Sequence, residues 1–150
     1  DTALNHVAVA LDVSGSIAAA FPELAAEVVG ICMARRIKTV SVLPFASDVH
    51  DVFQIKNGRK PTPNDFAKVR TGGGTEAIGD VMEWIRRNAN DRPDVCVIMT
   101  DGYLTNALPD APRWGKKTIW LVFDNPGFTV PSNWGRVIHT IGDPGYWKSV

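Results

Sequence analysis

The chain has 150 residues, 45 % of them hydrophobic, which is enough to bury the core of one domain. Its 16 basic and 16 acidic side chains cancel, and the basic pairs Arg35-Arg36, Arg86-Arg87 and Lys116-Lys117 are short and scattered, so neither nucleic acid nor a membrane surface is expected as a partner. No apolar run reaches the roughly 18 residues that a membrane-spanning helix needs, and no signal peptide is visible.

In chain order, "HVAVAL" (His6 to Leu11) reads as a short apolar strand. Phe21-Pro22 starts an amphipathic helix, because proline is tolerated in the first turn. Leu24, Val28, Ile31 and Arg35 fall near one face of it, with Glu23 and Glu27 toward the other. "KTVSVLPF" (Lys38 to Phe45) is a second strand, and Val49 to Ile55 alternates as an edge strand with one solvated face would. Thr62-Pro63-Asn64-Asp65 has the capping-box pattern of a short helix reaching about Val69. Ile78, Val81, Met82 and Ile85 recur at helical spacing and give a helix to about Asn88. "VCVIM" (Val95 to Met99) and "TIWLVF" (Thr118 to Phe123) are continuous apolar runs, as central strands covered on both faces require. Val137 to Ile141 is the last strand. Strands alternating with helices predict an α/β fold: a doubly wound, Rossmann-like, mostly parallel sheet of about six strands, with one antiparallel edge strand and helices on both faces. Residues 1–150 are expected to form a single domain, and the opening at Asp1 points to one cut from a longer protein.

Three stretches carry the chemistry. Asp12-x-Ser14-x-Ser16 follows the first strand, Gly72-Gly73-Gly74-Thr75 precedes a helix, and Thr100-Asp101-Gly102 ends the "VCVIM" strand. In a doubly wound sheet, ligands bind beyond the carboxyl ends of strands where the strand order reverses. If the strands ending in Asp12 and Asp101 are neighbours there, the two carboxylates meet. Together with the hydroxyls of Ser14, Ser16 and Thr75 they make a hard, all-oxygen donor set. Such a set suits Mg²⁺, with Mn²⁺ or Ca²⁺ as alternatives, and disfavours zinc. Two carboxylates offset one divalent charge, the neutral hydroxyls leave the ion electrophilic, and an octahedral ion keeps a position open for an outside carboxylate. Each stretch also has a plainer reading: Asp12 as a turn residue, Ser14, Ser16 and Thr75 as helix caps, and "TDG" as a common turn. Their conjunction, each at a strand or loop junction, favours the metal site.

These residues resemble the metal ion-dependent adhesion site of von Willebrand factor A (VWA) domains, whose pattern is D-x-S-x-S, then a Thr, then an Asp. The resemblance runs over essentially the whole chain. It is carried by "DVSGSI", "TGGGTE", "VCVIMTDG" and "TIWLVFDN" leading to "NWGRVIHTI". Within the superfamily the closer likeness is to bacterial and phage VWA-like domains that follow a predicted metallopeptidase domain. Glu76 supplies the acidic residue usual after the Thr, whereas Asn133-Trp134-Gly135 stands where the family often has Pro-Phe-Gly. The resemblance implies a Mg²⁺-dependent protein-binding module in which Asp12, Ser14, Ser16, Thr75 and Asp101 hold the ion and a partner supplies a Glu or Asp. It implies no catalysis by this domain, and an AAA+ ATPase system or a fused peptidase domain as the setting.

The main rival is a metal-dependent hydrolase or phosphatase, or an accessory domain of a metallopeptidase; a third reading is a vestigial site on a retained scaffold. The haloacid dehalogenase pattern wants a second Asp where Ser14 stands, and no P-loop, HExxH or supported Ser/His/Asp set is present. His6 and His139 are expected to pack on strands, and His50 to be solvated. Trp84 and Trp120 read as core or half-core, and Trp114, Trp134 and Trp147 as indoles that pin loops onto the body in preference to forming a partner's rim. Cys32 and Cys96 lie outside any CxxC pair and are expected to be buried free thiols of a reducing, cytoplasmic protein.

Overall fold

The computed structural model describes residues 4–139. The first apolar run forms β1 (Leu4–Asp12). A single 3-10 turn (Ala18–Ala20) leads into α1 (Phe21–Ala34), with Pro22 in its first turn. Then follow β2 (Ile37–Phe45), β3 (Phe53–Lys56), α2 (Pro63–Phe66), α3 (Ile78–Asn88), β4 (Val95–Thr100), β5 (Thr118–Val122) and β6 (Arg136–Ile138).

The strands form one six-stranded sheet in the order β3-β2-β1-β4-β5-β6. β1 pairs in parallel with both β2 and β4, and β4–β5 and β5–β6 are parallel. β3 runs antiparallel to β2 at the edge. This is the expected doubly wound α/β architecture. The order also locates the crevice. The chain moves outward from β1 to β2 and β3, then returns to the other side of β1 for β4, β5 and β6. The direction of winding therefore reverses between β1 and β4, and Asp12 and Asp101 stand at the carboxyl ends flanking that reversal.

Alternation along β1 divides the core into two layers. Val7, Val9 and Leu11 pack with Leu24, Val28 and Ile31 of α1. Ala8 and Ala10 face the other way, with Ile78, Val81 and Ile85 of α3. Helices thus cover both faces, which explains why the central strands are apolar throughout. Cys32 and Cys96 are free and buried, one in each layer, and burial pushes the Cys32 thiol up to about 11.

Several local expectations are corrected. Glu27 is buried and not on the solvent side; it lies three residues from Leu24 and four from Ile31, on the same helical stripe. The edge strand is shorter than Val49 to Ile55, because Asp51 adopts a left-handed φ of 53° and interrupts the extended backbone, leaving only a bridge between Phe45 and Val49 ahead of β3. α2 stops at Phe66, short of Val69, although its capping box forms: the Thr62 N–H donates to Asp65 Oδ2 at 2.7 Å. His50 is not freely solvated, since its Nδ1 pairs with Asp51 Oδ2 at 2.9 Å. His139 is exposed just past β6 and does not pack. His6 does pack, bonding Ser41 Oγ at 2.7 Å with its ring edge-on to Trp84. Residues 140–141 of the expected last strand, and Trp147, lie outside the described residues.

The indoles hold the long loops as expected. Trp134 Nε1 donates to the Pro109 carbonyl, Trp120 Nε1 to the Trp134 carbonyl and Trp114 Nε1 to Asp91 Oδ1, each at 2.8 Å. The Trp134 ring stacks edge-on with Trp114 and Trp120 at centroid distances of 5.9 and 5.6 Å. Gly135 follows at φ 91°, where a Cβ would collide with the Thr118 carbonyl, so the loop can close onto β5 only through glycine. Among the described residues no helix is long and apolar enough to cross a membrane.

Candidate metal centre

β1 delivers Asp12 to the crevice almost wholly buried, at 1 % exposure. Both of its carboxylate oxygens are oriented. The Ser14 N–H donates to Oδ1 at 2.9 Å, and the Thr100 hydroxyl at the end of β4 donates to Oδ2 at 2.7 Å. Ser16 Oγ donates to Asp101 Oδ2 at 2.6 Å and lies 3.4 Å from Ser14 Oγ. The Tyr103 N–H donates to Asp101 Oδ1 at 3.1 Å, and Asn125 Nδ2 donates to the Asp101 carbonyl at 3.0 Å. Asp12, Ser14, Ser16 and Asp101 are thereby joined by one hydrogen-bond chain across β1 and β4.

Thr75 reaches this group by a different route. It is buried, its hydroxyl donates to the Tyr103 carbonyl at 2.9 Å, and it lies 3.2 Å from Thr105 Oγ1. Among the described residues no direct hydrogen bond links it to either carboxylate. The helix-cap reading of Thr75 does not hold, because α3 is capped at Ala77. The glycines ahead of Thr75 bring its loop against the first one. Gly72 N–H donates to the Val13 carbonyl at 2.6 Å and Gly15 N–H to the Gly73 carbonyl at 3.1 Å, with φ of 109° at Gly72 and 96° at Gly73.

Burial pushes the Asp12 carboxyl above its ordinary value, and the nearby Asp101 charge adds to the rise; hydrogen bonds from Ser14 and Thr100 pull the other way. Among the described residues no Lys, Arg or His forms an ion pair with Asp12 or Asp101. The site therefore concentrates negative charge that no cation among the described residues pairs with. No group of three or more His, Cys, Asp or Glu stands together among the described residues, so hydroxyls must supply much of any donor set. Two carboxylates with serine and threonine oxygens fit a hard divalent cation and do not fit zinc.

Sequence reasoning missed Thr100 as a functional residue. It was visible as the first letter of "TDG", but its role depends on the β1–β4 pairing, in which Leu11 lies beside Met99, so that Asp12 and Thr100 come next. Asn125 and Ser47, the latter accepting the Gly74 N–H at 3.2 Å, open loops that the sequence places around the partner surface; what it does not announce is the hydrogen bonds they make here.

Residues 7–140 match the sequence model of a family described as VWA-like domain, DUF2201. The chain belongs to that family. No curated protein sequence matches this VWA-like domain. Its fold is similar to that of the ArnB paralog VWA2 from Sulfolobus acidocaldarius, at TM-score 0.65 and 16 % identity over 99 % of this chain and 44 % of that one. It is also similar to proximal thread matrix protein 1 from the mussel byssus, at TM-score 0.52 and 17 % identity over 97 % of this chain and 43 % of that one. An aerotolerance-related membrane protein from Bacteroides fragilis, solved with multiple mutations to serines, matches at TM-score 0.50 and 16 % identity over 97 % and 96 % of the two chains. The VWA-like domain thus spans less than half of the Sulfolobus and mussel proteins. At these identities the likeness shows the shared fold.

Proposed function

We propose that this VWA-like domain is a protein-binding module that engages an acidic side chain of its partner through a divalent cation, Mg²⁺ first among the candidates. The observation that carries the reading is the pairing of two buried carboxylates, Asp12 and Asp101, across the β1–β4 reversal, with no ion pair to either among the described residues. Asp12 and Asp101 supply the charge. Ser14, Ser16 and Thr75 supply neutral oxygens, and Thr100 holds Asp12 in place. When bound, the cation supplies an electrophilic centre that a Glu or Asp from outside completes. The hydroxyls of Ser14, Ser16 and Thr100 are engaged with one another or with the carboxylates, which supports binding over turnover. The domain is read as binding without catalysis.

The test is affinity capture with the protein in Mg²⁺, in EDTA, and with Asp12→Ala in Mg²⁺, followed by mutation of acidic residues on the captured partner. The reading expects a partner that is held in Mg²⁺, released by EDTA, lost with Asp12→Ala and weakened by changing one of its own Glu or Asp residues. A partner retained equally in all conditions would place the interface elsewhere.

A further inference from the structure

Beside the candidate centre runs a groove of about 630 Å³, which shares Ser16 and Asp101 with the centre itself. Six waters around an ion fill only about 180 Å³ at ~30 Å³ each. The groove lies within the roughly 300–1,000 Å³ range of clefts that bury organic ligands. It has room for side chains as well as a hydrated ion. Ile17, Ala20 and Phe123 line it; Ile17 and Phe123 are buried in the core, and Ala20 is partly exposed. Tyr103 is 63 % exposed, yet its backbone is held at both ends: its N–H donates to Asp101 and its carbonyl accepts from Thr75. A fixed backbone carrying an exposed ring loses little conformational freedom when a partner covers it.

The groove also carries a charge. Asp124 is exposed, stands one residue past Phe123 in a left-handed conformation (φ 59°), and has no ion pair among the described residues. The Phe123 N–H donates to the Thr100 carbonyl at 2.9 Å, which continues the β4–β5 register and sets Asp124 beside the Asp101–Gly102 turn. A second acidic side chain there would be repelled, and a basic one attracted.

We infer that the groove reads the residues flanking the partner's acidic side chain: an apolar side chain packs on the exposed Tyr103 ring, and a Lys or Arg meets Asp124. The inference rests on the metal-dependent reading proposed above and adds a sequence preference to it. The partner segment is then acidic, apolar and basic within a few residues, each feature read by a different group.

The test is selection of a displayed library of short random peptides on the protein in Mg²⁺, repeated in EDTA and on Tyr103→Ala and Asp124→Lys. Both side chains are exposed, and matching thermal melts confirm that the variants fold. The inference expects peptides carrying Asp or Glu with a neighbouring Leu, Ile, Met or Phe and a Lys or Arg. A synthetic peptide of the most enriched sequence should bind Tyr103→Ala about tenfold more weakly, and Asp124→Lys should lose the basic preference. Enrichment of acidic residues alone, or the same basic preference on Asp124→Lys, would overturn the groove reading and leave the metal-dependent one standing. Enrichment without acidic residues, or unchanged in EDTA, would overturn both.

Discussion

Thr100→Val isolates the residue that orients Asp12. Thr100 is fully buried, and valine keeps its shape while removing the hydroxyl. That hydroxyl donates to Asp12 Oδ2 at 2.7 Å and accepts the Gly102 N–H at 3.0 Å. The variant leaves a buried carboxylate short of one donor and a backbone N–H without its acceptor. Each such loss costs about 1–3 kcal/mol, so the pair amounts to roughly 2–6 kcal/mol. In a domain of this size 1 kcal/mol moves the melting temperature by about 2–4 °C, so a fall of roughly 10 °C is expected. A carboxylate deprived of its supporting hydrogen bond should also bind its cation about 10–100-fold more weakly. Thermal unfolding by circular dichroism in EDTA measures the first effect, and a Mg²⁺ titration of the folded variant the second. Thr105→Val removes a part-buried hydroxyl contact to Thr75 from an exposed residue and serves as the control. If Thr100→Val melted with the control and bound Mg²⁺ as the wild type does, the account of how Asp12 is held would be wrong.

Other perturbations test the scaffold around the crevice. Trp134→Ala empties the meeting point of three indoles and should lower stability by about 3–5 kcal/mol in denaturant unfolding; an unchanged midpoint would show that the loop is not pinned by that ring. Gly135→Ala should give little folded protein, because its Cβ meets the Thr118 carbonyl and its φ is left-handed; normal expression and melting would refute the close approach. The Arg59 guanidinium bonds Asp65 twice and holds its carboxyl down to about 2. With the folded value depressed, the pair's contribution is present above the ordinary carboxylate value near 3.8 and fades as pH falls toward 2. The carboxyl NMR resonance of Asp65 should titrate near 2, and Arg59→Ala should move it upward; an ordinary titration in the wild type would remove the pairing.

The fold was legible because its signals are local and redundant. Continuous apolar runs announced the central strands, and Pro22 and the 62–65 capping box marked helix starts that formed. The site residues were legible as types. Their meeting depends on strand order, which spacing alone leaves conditional and which the β2-β1-β4 pairing supplies. Where reading failed, a tertiary or single-residue effect decided. Glu27 was assigned to solvent by its charge although its position is on the buried stripe. Asp51 broke an alternating pattern through one left-handed φ. Thr100 acquires its role only through a neighbour 88 residues away in sequence.

The central claim is that Asp12 and Asp101 meet because a divalent cation belongs between them and a partner. Titration calorimetry of the protein with Mg²⁺, beside Asp12→Ala and Asp101→Ala checked for folding, tests this most directly. The account predicts saturable binding of a single ion to the wild type, lost in both variants. Heats that are absent in the wild type, or that persist unchanged in the two variants, would contradict it.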